Sequence, residues 1–157
     1  MDMRPLASAI VAALISVSVP LTSHATDGCG QAALKNEHKD AATIQVLERA
    51  WSVAFRQGDT DFERCLLTPD FTEIGTDGKL GVLVDELKFA ADNLGKNLPI
   101  PPQPPTTVLI HGDVAVAYVE VSRGKGGKTF SVYNADYYVW EGRAWHAYFS
   151  QQSRFGG

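Results

Sequence analysis

The sequence predicts an α+β domain whose helices pack on one face of an antiparallel sheet. Three observations carry that expectation. Apolar residues from Ala41 to about Leu94 recur mainly at helical spacing, while those after Thr107 alternate as in strands. Glycine-bearing turns, "HGD", "RGKGGK" and "EG", divide the second half into a meander. Helices first and a meander afterwards give segregated layers rather than an alternating parallel fold.

The first stretch stands apart from that domain. Arg4 is followed by "LASAIVAALISVSV", then by Pro20 and "SHA", with small residues at the −3 and −1 positions of a signal-peptidase site after Ala25. The run falls short of the roughly 20 apolar residues of a spanning helix, so residues 1–25 read as a cleaved signal peptide. The product is then periplasmic or secreted. Residues 26–40 form a polar lead-in, and residues 41–157 form one domain long enough to bury a core. Cleavage removes Asp2 and Arg4 together, so the net charge of −4 is unchanged. No basic field draws such a protein to nucleic acid or to an anionic membrane. Cys29 and Cys65 would both meet an oxidising compartment, where a single disulfide between lead-in and domain is expected, two separately buried thiols being the alternative.

Ile44, Leu47, Trp51, Ala54 and Phe55 define a long amphipathic helix over Ala41–Gln57, with Gly58 at its end. Asp59 is placed to cap a shorter helix carrying Phe62, Leu66 and Leu67, which Pro69 is expected to stop. "DFTEIGTDGKLG" reads as a short strand pair turning at Asp77-Gly78, and a third helix is expected at about Val84–Leu94. "LPIPPQPP" cannot hold a hydrogen-bonded ladder and reads as an extended connector. Strands follow at Thr107–Ile110, Val114–Ser122, Thr129–Trp140 and Arg143–Ser153. Both parities of the central strands are apolar, so a second face must be covered; a homodimer through the sheet face is the simplest cover.

In their order and spacing, "AWSVAFRQGDTDFERCLLTPDFTEIGTDGK", "HGDVAVAYVEV" and "AWHAYFSQQS" resemble the nuclear transport factor 2-like superfamily, in particular its SnoaL-like and domain-of-unknown-function-4440 branches. The resemblance covers nearly all of the chain that remains after cleavage at Ala25. It implies a cone, a curved antiparallel sheet wrapped around the long first helix in a cystatin-like α+β roll, with an internal pocket and often a homodimer. It also implies that enzymes of the group, ketosteroid isomerases and polyketide cyclases among them, move protons with a carboxylate inside the cone. Gln151 stands where many relatives carry histidine, which removes one neutral-pH base.

Asp136 is the candidate catalytic acid, set in "YNADYYVWEGRAWHAYFSQQS" among Tyr133, Tyr137, Tyr138 and, across the hairpin, Tyr148 and Phe149. Desolvation by such rings would raise its pKa toward a range useful for proton transfer, with Tyr148 as a donor. A structural, tyrosine-bonded or exposed aspartate is the alternative. Register decides: an even loop at Glu141-Gly142 sets Asp136 on the face of Trp145, Phe149 and Gln151, an odd loop with a bulge on that of His146 and Tyr148. Trp51, Tyr133, Tyr137, Phe149 and Gln151 are the ligand-binding candidates, Trp51 also serving the core. Asp70 is a turn cap or a pocket-mouth residue. The histidines have no metal-site spacing, and "SRGKGGKT" lacks both the first glycine and the strand-to-helix context of a phosphate loop, so neither metal nor cofactor is expected. The resulting reading is an exported protein binding a small apolar molecule. A proton-transfer enzyme using Asp136 and a non-catalytic interaction module with a filled cone are the alternatives.

Overall fold

A computed structural model describes residues 38–125 and 128–155. The signal segment and Cys29 therefore lie outside the described residues. Helix α1 (Ala41–Gln57) turns Ile44, Leu47, Trp51 and Ala54 inward. Asp40 opens it by accepting the Thr43 amide at 2.8 Å, and Gly58 closes it in the left-handed region at φ 77°. Helix α2 (Thr60–Leu66) begins at Asp59, whose carboxylate accepts the Phe62 amide at 3.0 Å, as the sequence predicts.

Pro69 does not stop α2. The helix ends at Leu66, and strand β1 (Leu67–Ile74) follows directly, with Pro69 inside it where the pairing to β6 is irregular between Leu67 and Thr72. A residue without an amide proton is tolerated at such a break in the ladder. β1 turns through Asp77-Gly78 into β2 (Leu80–Val82), and α3 (Leu83–Ala91) comes next. The proline-rich connector runs back along α1, held by Arg49 Nη1 donating to the Pro101 carbonyl at 2.6 Å and Gln45 Nε2 donating to the Thr106 carbonyl at 2.9 Å. β3 (Thr107–His111), β4 (Val114–Lys125), β5 (Lys128–Glu141) and β6 (Ala144–Phe155) complete the chain.

The strands form one curved, unclosed sheet in the order β2-β1-β6-β5-β4-β3. All neighbours are antiparallel except β1 and β6, which pair in parallel, with Glu73 beside Ser150. The core fills the space between α1 and the inner sheet face, where Leu47, Leu66, Phe71, Ala117, Tyr138 and Trp145 are buried. Trp51 meets Phe71 edge to face, with ring centroids 5.8 Å apart. No helix among the described residues is long and apolar enough to cross a membrane.

The outer sheet face carries Tyr118, Tyr133, Tyr148 and Phe155, each more than a third exposed. Tyr133 and Phe155 stack at 4.4 Å, so the rings cover one another without an overlying layer among the described residues.

Candidate functional site

The last hairpin turns at Gly142-Arg143, with Glu141 facing Ala144 and Trp140 facing Trp145. That even loop puts Asp136 on the face of Trp145, as one of the two expected registers requires. Farther along, Tyr138 faces Ala147 while Tyr137 faces Phe149, which leaves Tyr148 as the extra residue of a bulge. The bulge inverts parity for the rest of β6. Asp136 therefore pairs with Ser150, and Phe149 and Gln151 fall on the opposite face with Tyr133 and Tyr137.

This corrects the sequence expectation of an aspartate walled by aromatic rings. Tyr133, Tyr137, Phe149 and Gln151 do not line the cavity, and Tyr148 supplies no hydrogen bond to Asp136. Tyr137 instead packs on Phe149 and Tyr148, with centroids 5.4 and 6.4 Å apart. Asp70 is exposed on β1 and does not line the cavity, and the ring of His146 is tied to the Cys65 carbonyl at 3.0 Å. Among the described residues no group of three or more His, Cys, Asp or Glu side chains is placed to hold a metal.

The structure does bring Asp136 and Trp51 together in one cavity of about 940 Å³ between α1, the inner sheet face and the proline-rich connector. Its polar floor was not foreseen. Asp136 is 3% exposed. Ser150 Oγ donates to its Oδ1 at 2.6 Å and Asn134 Nδ2 to its Oδ2 at 2.5 Å. Beside it stands Glu48 of α1, whose Oε1 accepts the Tyr138 hydroxyl at 2.6 Å. The two carboxyl groups act on each other's ionisation.

Two buried carboxyl groups side by side do not both ionise readily, and the surrounding donors decide which of them keeps its proton. Asp136 receives Ser150 and Asn134, two donors that favour its anion; Glu48 receives only Tyr138. The proton therefore belongs to Glu48. Burial first, and then the Asp136 charge, hold the Glu48 carboxyl well above its usual range. Burial pushes Asp136 up to about 6, opposed by its hydrogen bonds and reinforced by Glu73. A buried neutral acid thus sits against a base poised near neutrality. Burial first, and then the neighbouring acids Glu48 and Asp136, also raise the Tyr138 hydroxyl, so it stays a donor.

Two further acids line the cavity. Glu86 of α3 is pushed up to about 7 by burial and by Glu73, against a hydrogen bond from Trp51. Glu73 of β1 is raised by burial and by Asp85. Gly81 makes room for it, since a Cβ there would stand 2.9 Å from the Glu73 Cγ and Oε1. Glu48 and Glu86 were legible in principle. Each occupies an apolar helical stripe, Glu48 among Ile44, Leu47 and Trp51, and Glu86 among Leu83, Leu87 and Ala90.

No family model matches the sequence, and no curated protein matches it. Solved structures do match. One assigned as a calcium/calmodulin-dependent kinase II association domain, from Exiguobacterium sibiricum, is 17% identical over 76% of this chain and 98% of its own, with a TM-score of 0.58. An NTF2-like protein of unknown function in nutrient uptake from Rhodospirillum rubrum is 18% identical over 72% and 98%, with a TM-score of 0.55. A protein assigned as a ketosteroid isomerase, from Parabacteroides distasonis, is 15% identical over 72% and 86%, at 0.50. A six-stranded curved sheet around α1 and these matches together give one conclusion: the chain has the nuclear transport factor 2-like fold.

Proposed function

We propose that this is an exported protein that binds a small molecule in the cone, with Asp136 as the polar anchor at its base. The carrying observation is a cavity of about 940 Å³ with a buried carboxylate at its floor, a volume that a cone filled by its own side chains would not leave. Trp51, Phe55 and Val119 supply apolar wall, and the rest of the floor is acidic, so the ligand is apolar in its body and polar at one end. The uncharged dye N-phenyl-1-naphthylamine tests this. Its fluorescence should rise on binding to the wild type, and Val119→Trp, which fills the cavity, should weaken it at least ~10-fold, about 1.4 kcal/mol. Equal binding to both proteins would place the dye elsewhere and remove the proposal.

A second reading is supported by the Asp136–Glu48 pair: proton transfer, with Asp136 as base and Glu48 as the neutral acid beside it. Asp136→Asn should then abolish turnover while lowering stability by no more than ~1–3 kcal/mol, the cost of disturbing buried hydrogen bonds. The motif resemblance to the SnoaL-like branch belongs with this reading, as does the isomerase assignment of a structure sharing the fold.

Export rests on the signal-like segment 1–25, and the Cys29–Cys65 bridge goes with it; thiol titration without reductant is the check. Self-association rests on the ringed outer face and on the association domain among the matching structures. Tyr118 faces outward, 37% exposed, and its neighbour Val119 faces the cavity, 9% exposed. Tyr118→Lys should therefore convert a dimer to a folded monomer in sedimentation, whereas Val119→Lys should lower the thermal midpoint. A wild type that is monomeric at micromolar concentration would contradict the dimer.

A further inference from the structure

The cavity has a second pole. Arg49 and Arg56 lie about two turns apart on α1 and therefore on one face of it, and both line the lip that the proline-rich connector completes. Arg49 donates to a neutral acceptor, the Pro101 carbonyl. Arg56 makes no hydrogen bond or ion pair among the described residues, and it also lines a smaller adjoining cavity of about 290 Å³ beneath Asn93–Ile100. Arginine presents a planar, multi-donor cation suited to pairing with anions.

Four carboxyl groups, Glu48, Glu73, Glu86 and Asp136, line the same cavity, yet neither arginine forms an ion pair with any of them. The charges are held apart by the fold. The acids engage Tyr138, Trp51, Ser150 and Asn134, while the arginines stand at the lip beside the connector. The chain as a whole carries −4, so general attraction does not bring anions here. Any attraction for an anion is local to this lip.

We propose that the cavity takes an organic anion, with a carboxylate-type group between Arg56 and Arg49 and an apolar body along Trp51, Phe55 and Val119. A hydroxyl or amine at its far end donates to Asp136. Paired guanidinium groups suit the planar, two-oxygen geometry of such an anion. Arg49 directly follows Glu48 and Arg56 lies seven residues farther on, so at ~1.5 Å per residue the two arginines stand ~10 Å apart along the helix, and the anionic group sits where their long side chains converge. This identification of ligand class rests on the cone being a binding site at all.

Two dyes with one aromatic skeleton separate the two claims: 1-anilinonaphthalene-8-sulfonate carries an anionic group, and N-phenyl-1-naphthylamine lacks it. Arg56→Gln should weaken the anionic dye by about 10-fold, the loss of a charged hydrogen-bonding partner, and Arg49→Gln should weaken it further. The neutral dye should stay within about twofold for both, as should the anionic dye with Arg64→Gln, an exposed arginine of α2 outside the lip. Thermal midpoints close to wild type would show that the variants are folded. Loss of both dyes in parallel, or of neither, overturns the anion assignment while leaving cavity binding in place. Failure of both dyes to bind the wild type overturns the cavity reading and this one with it.

Discussion

Thermal stability should be greatest at about pH 4–5 and should fall continuously as the pH is raised to 8. The cause is a set of acids that fold protonated. Glu63 of α2 is fully buried, and neither of its carboxyl oxygens has a hydrogen-bond partner among the described residues. Burial first, and then Glu86 and Asp59, push it up to about 8, while Glu86 is raised to about 7 and Asp136 to about 6. In the unfolded chain these groups ionise near their ordinary values of 4.5 for glutamate and 3.8 for aspartate. Between those limits the native state holds protons that the unfolded state has released, so each rise in pH favours unfolding. The stabilisation is complete below the unfolded values and has been lost once the pH passes the folded ones. With each unit of displacement contributing ~1.4 kcal/mol, the combined loss is on the order of several kcal/mol.

Glu63→Met isolates the largest share. Replacing a buried, unpartnered carboxyl with an apolar side chain of similar volume should raise stability at pH 8 by ~2–4 kcal/mol and flatten the profile above pH 6. Denaturant melts at four or five pH values would read it. A variant less stable than wild type at pH 8 would show that Glu63 has a stabilising partner.

Gly58→Ala should be the most damaging single methyl added to the chain. Gly58 ends α1 at φ 77°, and a Cβ there would lie 2.7 Å from both the Cα and the amide nitrogen of Leu94. Backbone atoms cannot rotate aside, so the turn after α3 must move. The left-handed conformation alone costs ~1–2 kcal/mol for a residue with a Cβ, and the forced displacement brings the loss to ~2–4 kcal/mol. Gly78→Ala is the matched control. Its φ is 76° with nothing within 4 Å of the added carbon, so it should show the conformational cost alone. Equal losses for the two variants would mean that Leu94 yields freely.

Much of this fold was legible because its local signals agree. Asp59 and Gly58 bound the helices where capping chemistry places them, and the stripe from Ile44 to Ala54 announces the face that α1 buries. Asp136 and Trp51 were identified and do share a cavity. The aromatic surroundings assigned to Asp136 were wrong because one residue, Tyr148, bulges from β6 and exchanges the faces of everything after it. Alternation cannot reveal such a bulge when both parities are rich in rings. Glu48 and Glu86 were overlooked for a different reason: a charged residue on an apolar stripe was read past, although burying it demands an explanation. Where α1 met the sheet, the explanation was the site.

The parallel pairing of β1 with β6 orders the assembly of the molecule in time. Glu73 finds its neighbour Ser150 only when the carboxyl-terminal strand exists, so β1 and β2 cannot join the sheet during synthesis of the segments between them. High sequence separation at the seam raises the chain-closure cost before any contact repays it, and so slows folding. Until β6 is inserted, β5 presents an unpaired edge and β1 and β2 have no strand of the main sheet to join. Closure of the sheet is therefore a late, cooperative step of folding, taken only once β6 is present to join its two parts.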